Sequence, residues 1–170
     1  MDRALLDRMA ALHEESFGWA LACADRDRRD AEDVLQAVYL KVLEGRARYD
    51  GRASLKTWLF AVIRRTASEH RRLALVRRLR LVPLDEGAHE PSSAPAPDED
   101  AEARERGERL ARALGRLPRR QREVLVLVFY HGHSVEEAAV VLGIGVGSAR
   151  THYARGKARL KNLLADLEER

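Results

Sequence analysis

Apolar and small residues recur three and four positions apart from the start of the chain. Leu5, Met9, Leu12, Ser16, Trp19 and Cys23 share one helical face. A second stripe, Val34, Leu35, Val38 and Val42, predicts a helix over 31–44. Asp30 is placed to cap it and Gly45 to stop it, with Glu32, Asp33, Gln36 and Lys41 on its other faces. After a turn at Asp50-Gly51, Ser54 is placed to cap a long helix whose buried side is Leu55, Trp58, Leu59, Val62 and Ile63. Further on, Leu110, Leu114 and Leu117 mark a helix, and Pro118 suits the opening of the next. Residues 124–130 have strand propensity, but 118–122 begin the segment as a helix and Gly132 stops it. With no partner strand in view, the run is read as a buried helix.

Ser134 followed by Glu137 is a capping box, opening a short helix through Leu142. Gly143-Ile144-Gly145 then turns the chain, and Val146 or Gly147 begins a helix that runs past Leu160. Val135, Ala138, Ala139 and Leu142 are expected to pack inward, with Ile144 and Ala149 closing the angle. A short helix, a tight glycine turn and a longer helix are the parts of a helix-turn-helix.

Between these blocks the pattern stops. Residues 81–105 carry Pro83, Pro91, Pro95 and Pro97 beside Ser92 and Ser93, a composition that cannot build a core. They also hold Asp85, Glu86, Glu90, Asp98, Glu99, Asp100 and Glu102. The fold class expected is all-α: two small helical domains, 1–80 and 106–170, joined by a flexible acidic linker over 81–105. A composition of 45% hydrophobic but only 5% aromatic and 34% charged residues suits such small bundles with charged exteriors.

The net charge of +4 is modest, and its distribution is more informative. The long helix of the first domain becomes basic through Arg64, Arg65, Arg71, Arg72, Arg77, Arg78 and Arg80, with only Glu69 opposing. From Ser148 to Lys161 the last helix carries Arg150, Arg155, Lys157, Arg159 and Lys161 and no acid. Such a face neutralises phosphates, while Arg150, Thr151 and Arg155 near its start reach base edges in the major groove. Seven arginines against one acid in the first run exceed what a solvated face usually carries, with mere solubility as the alternative reading.

Other motifs are weaker. Gly143-x-Gly145-x-Gly147 lacks the strand and spacing of a dinucleotide loop. His131-x-His133 has no Cys or acidic ligand at compatible spacing, so a turn flanked by histidines is preferred to a metal site. Cys23, the single cysteine, excludes an intrachain disulfide and suits a buried core position better than a redox sensor. No cofactor or metal is expected. The N-terminus shows no apolar signal core and no stretch approaches a membrane span, so a cytoplasmic protein without stable membrane insertion is expected.

Two ordered blocks resemble one family. Asp30-Ala31-Glu32-Asp33-Val34-Leu35-Gln36 is similar to the acidic "DAEDL-x-Q" helix of the extracytoplasmic-function (ECF) group of sigma-70-type factors. Tyr49-Asp50-Gly51-Arg52 and Ser54-Leu55-x-x-Trp58-Leu59-Phe60 resemble the segment that follows it there. Leu117-Pro118-x-x-Gln121-Arg122-Glu123-Val124 resembles the group's "LP-x-x-x-R-E-V". Ser134-x-Glu136-Glu137-Ala138-Ala139, Leu142-Gly143 and Val146-Gly147-Ser148 resemble its helix-turn-helix. Arg65 stands where Asn is frequent in the group, Glu69 where Asp is, and Ala37 where an acid is common. His133 replaces an aliphatic residue, and His152 occupies a position often basic or polar.

The resemblance implies a promoter-selecting subunit of RNA polymerase, with no catalysis of its own. It implies that Glu32, Asp33 and Gln36 bind the β′ clamp of core polymerase. It further implies that Trp58, Arg64, Arg65, Arg71 and Arg72 melt and read the −10 element. The second domain, near the β flap, would dock on the −35 element through Ser148, Arg150, Thr151, Arg155 and Lys157. The acidic linker would thread near the RNA-exit channel, and an anti-sigma factor would mask both domains. Two rival readings stand beside this. An autonomous DNA-binding regulator predicts specific duplex binding without polymerase. A nucleotide-modifying enzyme is supported by no paired-carboxylate, nucleophile–base or phosphate-loop constellation.

Overall fold

The computed structural model describes residues 3–80 and 101–168, and the chain divides into two compact units between Ser92 and Ser93. The described residues contain helices and no strand. In the first unit these are α1 (Arg3–Ala11), α2 (His13–Cys23), α3 (Arg28–Leu43) and α4 (Leu55–Arg80). The single face expected from Leu5 to Cys23 is therefore split at Leu12, yet Met9, Ser16, Trp19 and Cys23 along it are buried.

Trp19 organises this unit's core. Its ring lies parallel to Phe60, centroids 5.8 Å apart, and its Nε1–H donates to the Phe60 carbonyl at 3.0 Å. The indole thus buries its apolar body and satisfies its one donor at the same time. Val34, Leu35 and Val38 from α3 and Leu59 and Ile63 from α4 fill in around it. Cys23, which forms no disulfide, is buried.

The cap of α3 differs from expectation. Asp27 rather than Asp30 is the N-cap, its carboxylate accepting the Asp30 N–H at 2.9 Å. Starting three residues earlier gives the helix an acid, Asp30, in its first turn. At the far end Gly45 adopts φ +70° just past the C-cap Glu44, as the sequence suggested. Ser54 opens α4 as expected, its Oγ accepting the Thr57 N–H at 3.1 Å. Trp58 and Val62 are only half-buried, whereas Phe60, unassigned by the stripe, is fully buried.

The second unit contains α5 (Ala101–Gly115), α6 (Arg119–Leu125), α7 (Val135–Leu142) and α8 (Val146–Glu168). Helix α5 begins inside the segment assigned to the linker, so 101–105 are helical; residues 81–100 lie outside the described residues. Along α5 the buried contact is Ala113, while Leu110 is largely exposed. Residues 124–130 are helical, but α6 passes into a π-wound segment, Val126–Tyr130. The His131 N–H reaches back five residues to the Val126 carbonyl at 3.2 Å. This part is less buried than expected, with Phe129 62% and Tyr130 80% exposed.

Helix α8 lies against α6 at Gly156. A Cβ there would stand 3.2 Å from the Gln121 Cβ and the Leu125 Cδ1, so the glycine sets how closely the two helices approach. In the second half of α6, Glu123 is 2% exposed and receives Arg119 at 2.9 Å and Arg120 at 3.2 Å from the start of the helix. A carboxylate buried this deeply requires such charge-assisted partners.

Candidate nucleic-acid interface

The helix-turn-helix is built as the sequence indicates. Ser134 accepts the Glu137 N–H at 3.0 Å, and the Glu137 carboxylate accepts the Ser134 N–H at 2.8 Å, closing the capping box. Gly143 ends α7 at φ +61°, a left-handed conformation that strains any residue with a Cβ. Ala138, Ala139, Val141 and Leu142 face inward from α7, and Ala149 of α8 is fully buried at the elbow. Val135 and Ile144 are half-buried rather than buried. Just before the motif, His131 and His133 are both buried. Among the described residues no group of His, Cys, Asp and Glu is arranged to hold a metal ion.

From this elbow α8 projects its polar side. Ser148, Arg150, Thr151, Arg155 and Lys157 are all exposed. The Thr151 hydroxyl donates back to the Gly147 carbonyl at 3.0 Å, and the Lys157 ammonium lies 5.3 Å from the centre of the Tyr153 ring. Tyr153 in turn stacks on Phe129, 5.8 Å between centroids. Arg150 is bridged to Glu136 of α7, its Nη2 donating to Oε1 at 2.8 Å. This contact holds the Glu136 carboxyl below the ordinary glutamate value, chiefly through the side-chain hydrogen bond. The pairing crosses the turn, so no local spacing announced it.

In the first unit the candidate residues fall in two places. Glu32, Asp33 and Gln36 are exposed on α3. Glu32 and Gln36 line an open groove of about 350 Å³ with Phe17, Leu35 and Tyr39, whereas Asp33 does not. Arg28 spans the Phe17 ring at 5.3 Å and pairs with Glu32 at 3.0 Å. Tyr39 shares a 2.8 Å hydrogen bond with the His13 Nδ1, and burial pushes its phenol up.

On α4, Trp58 packs against Tyr49 at 5.3 Å, and Tyr49 in turn donates to the Ala53 carbonyl at 2.8 Å. Arg64 is half-buried, and Arg65 and Arg72 are exposed. Arg71 serves an internal purpose: it donates to the Cys23 carbonyl at the end of α2 and to the Ser68 hydroxyl at 3.1 Å. A cation there complements the negative end of α2. The two family departures on this helix meet each other, Arg65 pairing with Glu69 at 3.6 Å. Glu69 also receives Lys41 of α3, which donates to the Thr66 hydroxyl as well.

Residues 13–74 match the family model described as Sigma-70 region 2, and residues 107–160 match Sigma-70, region 4. The chain is 34% identical over 158 residues to the RNA polymerase sigma factor CarQ of Myxococcus xanthus, covering 93% of this chain and 88% of that one. It is 31% identical over 146 residues to the ECF RNA polymerase sigma factor SigX of Bacillus subtilis, with 85% and 75% covered. The chain belongs to the sigma-70 family, in its ECF group.

As an ECF sigma factor it is a transcription initiation factor that directs core RNA polymerase to specific promoters. Its fold is similar to that of the sigma factor RpoE from Bartonella quintana, solved in complex with the anti-sigma factor NepR. That match has a TM-score of 0.69 at 22% identity and covers 96% of this chain and 98% of that one. Among the described residues of this sigma factor, no helix is long and apolar enough to cross a membrane.

Proposed function

We propose that the two units divide promoter recognition between them. The second, over 106–170, docks α8 on duplex −35 DNA through Ser148, Arg150, Thr151, Arg155 and Lys157. The first, over 1–80, binds the β′ clamp through Glu32, Asp33 and Gln36. It engages the −10 element with Trp58, Arg64, Arg65, Arg71 and Arg72, where Arg71 also ties α4 to α2. The acidic segment 81–105 joins the two activities. The observation that carries this reading is the exposed basic side of α8, set on a helix whose start is locked by buried Ala149.

This sigma factor acts in the cytoplasm and contributes recognition rather than chemistry. An anti-sigma factor controls it by covering the polymerase- and DNA-binding faces; the complex of similarly folded RpoE with NepR supports this. Transcription reconstituted with purified core polymerase tests the reading. Arg155→Ala is expected to weaken −35 binding by about 1–3 kcal/mol while leaving assembly with polymerase intact. Unchanged promoter use by this variant would remove α8 from the interface. Specific duplex binding at full strength without polymerase would favour an autonomous regulator instead.

A further inference from the structure

The geometry points to Glu136 as a positioning residue for −35 specificity: its carboxylate holds Arg150 from across the turn and aims it at a base edge. The inference deepens the docking role proposed for α8 and rests on it.

Both ends of the bridge stand on fixed backbone. Glu136 lies in the first turn of α7, which the reciprocal Ser134–Glu137 bonds lock. Arg150 follows Ala149, which is fully buried at the elbow. The 2.8 Å bond uses one guanidinium N–H and leaves others for a ligand. An unheld arginine must surrender much of its rotamer freedom when it meets a base. One held in advance surrenders less, so the saving falls on the base pair Arg150 meets.

The carboxylate also repels nearby phosphates, which steers Arg150 away from the DNA backbone and toward the groove floor. The pair is well exposed, 68% for Arg150 and 54% for Glu136, so it adds little to folding. Its consequence therefore lies in discrimination. The Glu136 carboxyl is held below its ordinary value and is ionised at neutral pH, as this role requires.

The test uses holoenzyme, this chain with core RNA polymerase, selecting from a duplex library randomised across the −35 region. Sequencing the bound fraction gives the base preference at each position. Glu136→Gln is expected to lower preference about two- to fivefold at one or two adjacent positions. Preference elsewhere should be unchanged, and total duplex affinity should be equal or higher. Arg150→Lys, which keeps the charge and loses the fork, should weaken the same positions. In an Arg150→Ala background, Glu136→Gln should change nothing further.

An unaltered profile for Glu136→Gln overturns the inference. So does a uniform loss across all positions, or an equal loss without Arg150. If Arg155→Ala and Lys157→Ala weaken duplex selection while Glu136→Gln leaves the profile intact, the docking helix stands and this inference alone falls. If none of these substitutions affects selection, the docking reading itself fails.

Discussion

In the first unit Trp19 and Phe60 stack at the centre of the core, whereas among the described residues of the second unit no Phe, Tyr or Trp is buried. Phe129 and Tyr130 are exposed and Tyr153 is half-buried, and the buried rings are the imidazoles of His131 and His133. The apolar part of the second core is aliphatic, including Ala113, Val124, Leu125, Leu127, Ala138, Ala139 and Leu142, with α8 drawn close to α6 at Gly156. One core concentrates its volume in two large rings, and the other spreads it over many short side chains and depends on close approach. The first should therefore be sensitive to truncation and the second to insertion. Their arginines differ as well. Arg71 is committed to the Cys23 carbonyl and Arg65 to Glu69 on its own helix, while Arg150 is held from a different helix across the turn.

Trp19→Ala puts the largest strain on this contrast. It is expected to cost about 3–5 kcal/mol, since it removes a fully buried ring and leaves a cavity against Phe60. Amide hydrogen exchange should show lost protection across α2, α3 and α4 with α6 and α8 unaffected. Equal loss in both units would break the comparison. Gly156→Val is the counterpart for the second unit, expected to destabilise α6 and α8 by about 1–3 kcal/mol because the added atoms have nowhere to go. Thermal unfolding measures this, and a variant as stable as the parent would mean that the contact at Leu125 yields easily.

The smallest effect concerns Glu136. Its folded-state pKa is depressed, so the bridge is fully present above the unfolded-state value and is lost as pH falls through the lower folded value. A carboxyl-carbon NMR titration should place Glu136 below an ordinary glutamate, and Arg150→Ala should move it back toward the usual range, the backbone hydrogen bond to Glu136 keeping part of the shift. A midpoint unmoved by Arg150→Ala would detach the carboxylate from that arginine.

Features set by neighbours in the chain were legible without a structure. The Ser134–Glu137 box, the left-handed Gly143 and the apolar stripes of α3 and α4 are local matters, decided by periodicity and by which residue can satisfy a free N–H or adopt positive φ. The exposed basic side of α8 follows in the same way. Even so, local logic left the cap of α3 open between Asp27 and Asp30. The Asp30 N–H bonded to the Asp27 carboxylate settles it for Asp27.

Contacts between distant parts of the chain needed the fold. Nothing near Phe60 says that it meets Trp19, nothing near Gly156 that Leu125 lies 3.2 Å away, and nothing near Arg150 that Glu136 faces it. The sequence by itself determined two helical blocks, a basic face on each, the turn that makes a helix-turn-helix, and the family. Only the tertiary structure decided which arginines are committed inward, how closely α6 and α8 approach, and which carboxylate holds Arg150. The physical reason is range: capping and periodicity act within a turn or two, whereas packing and charge pairing depend on which helices are brought together.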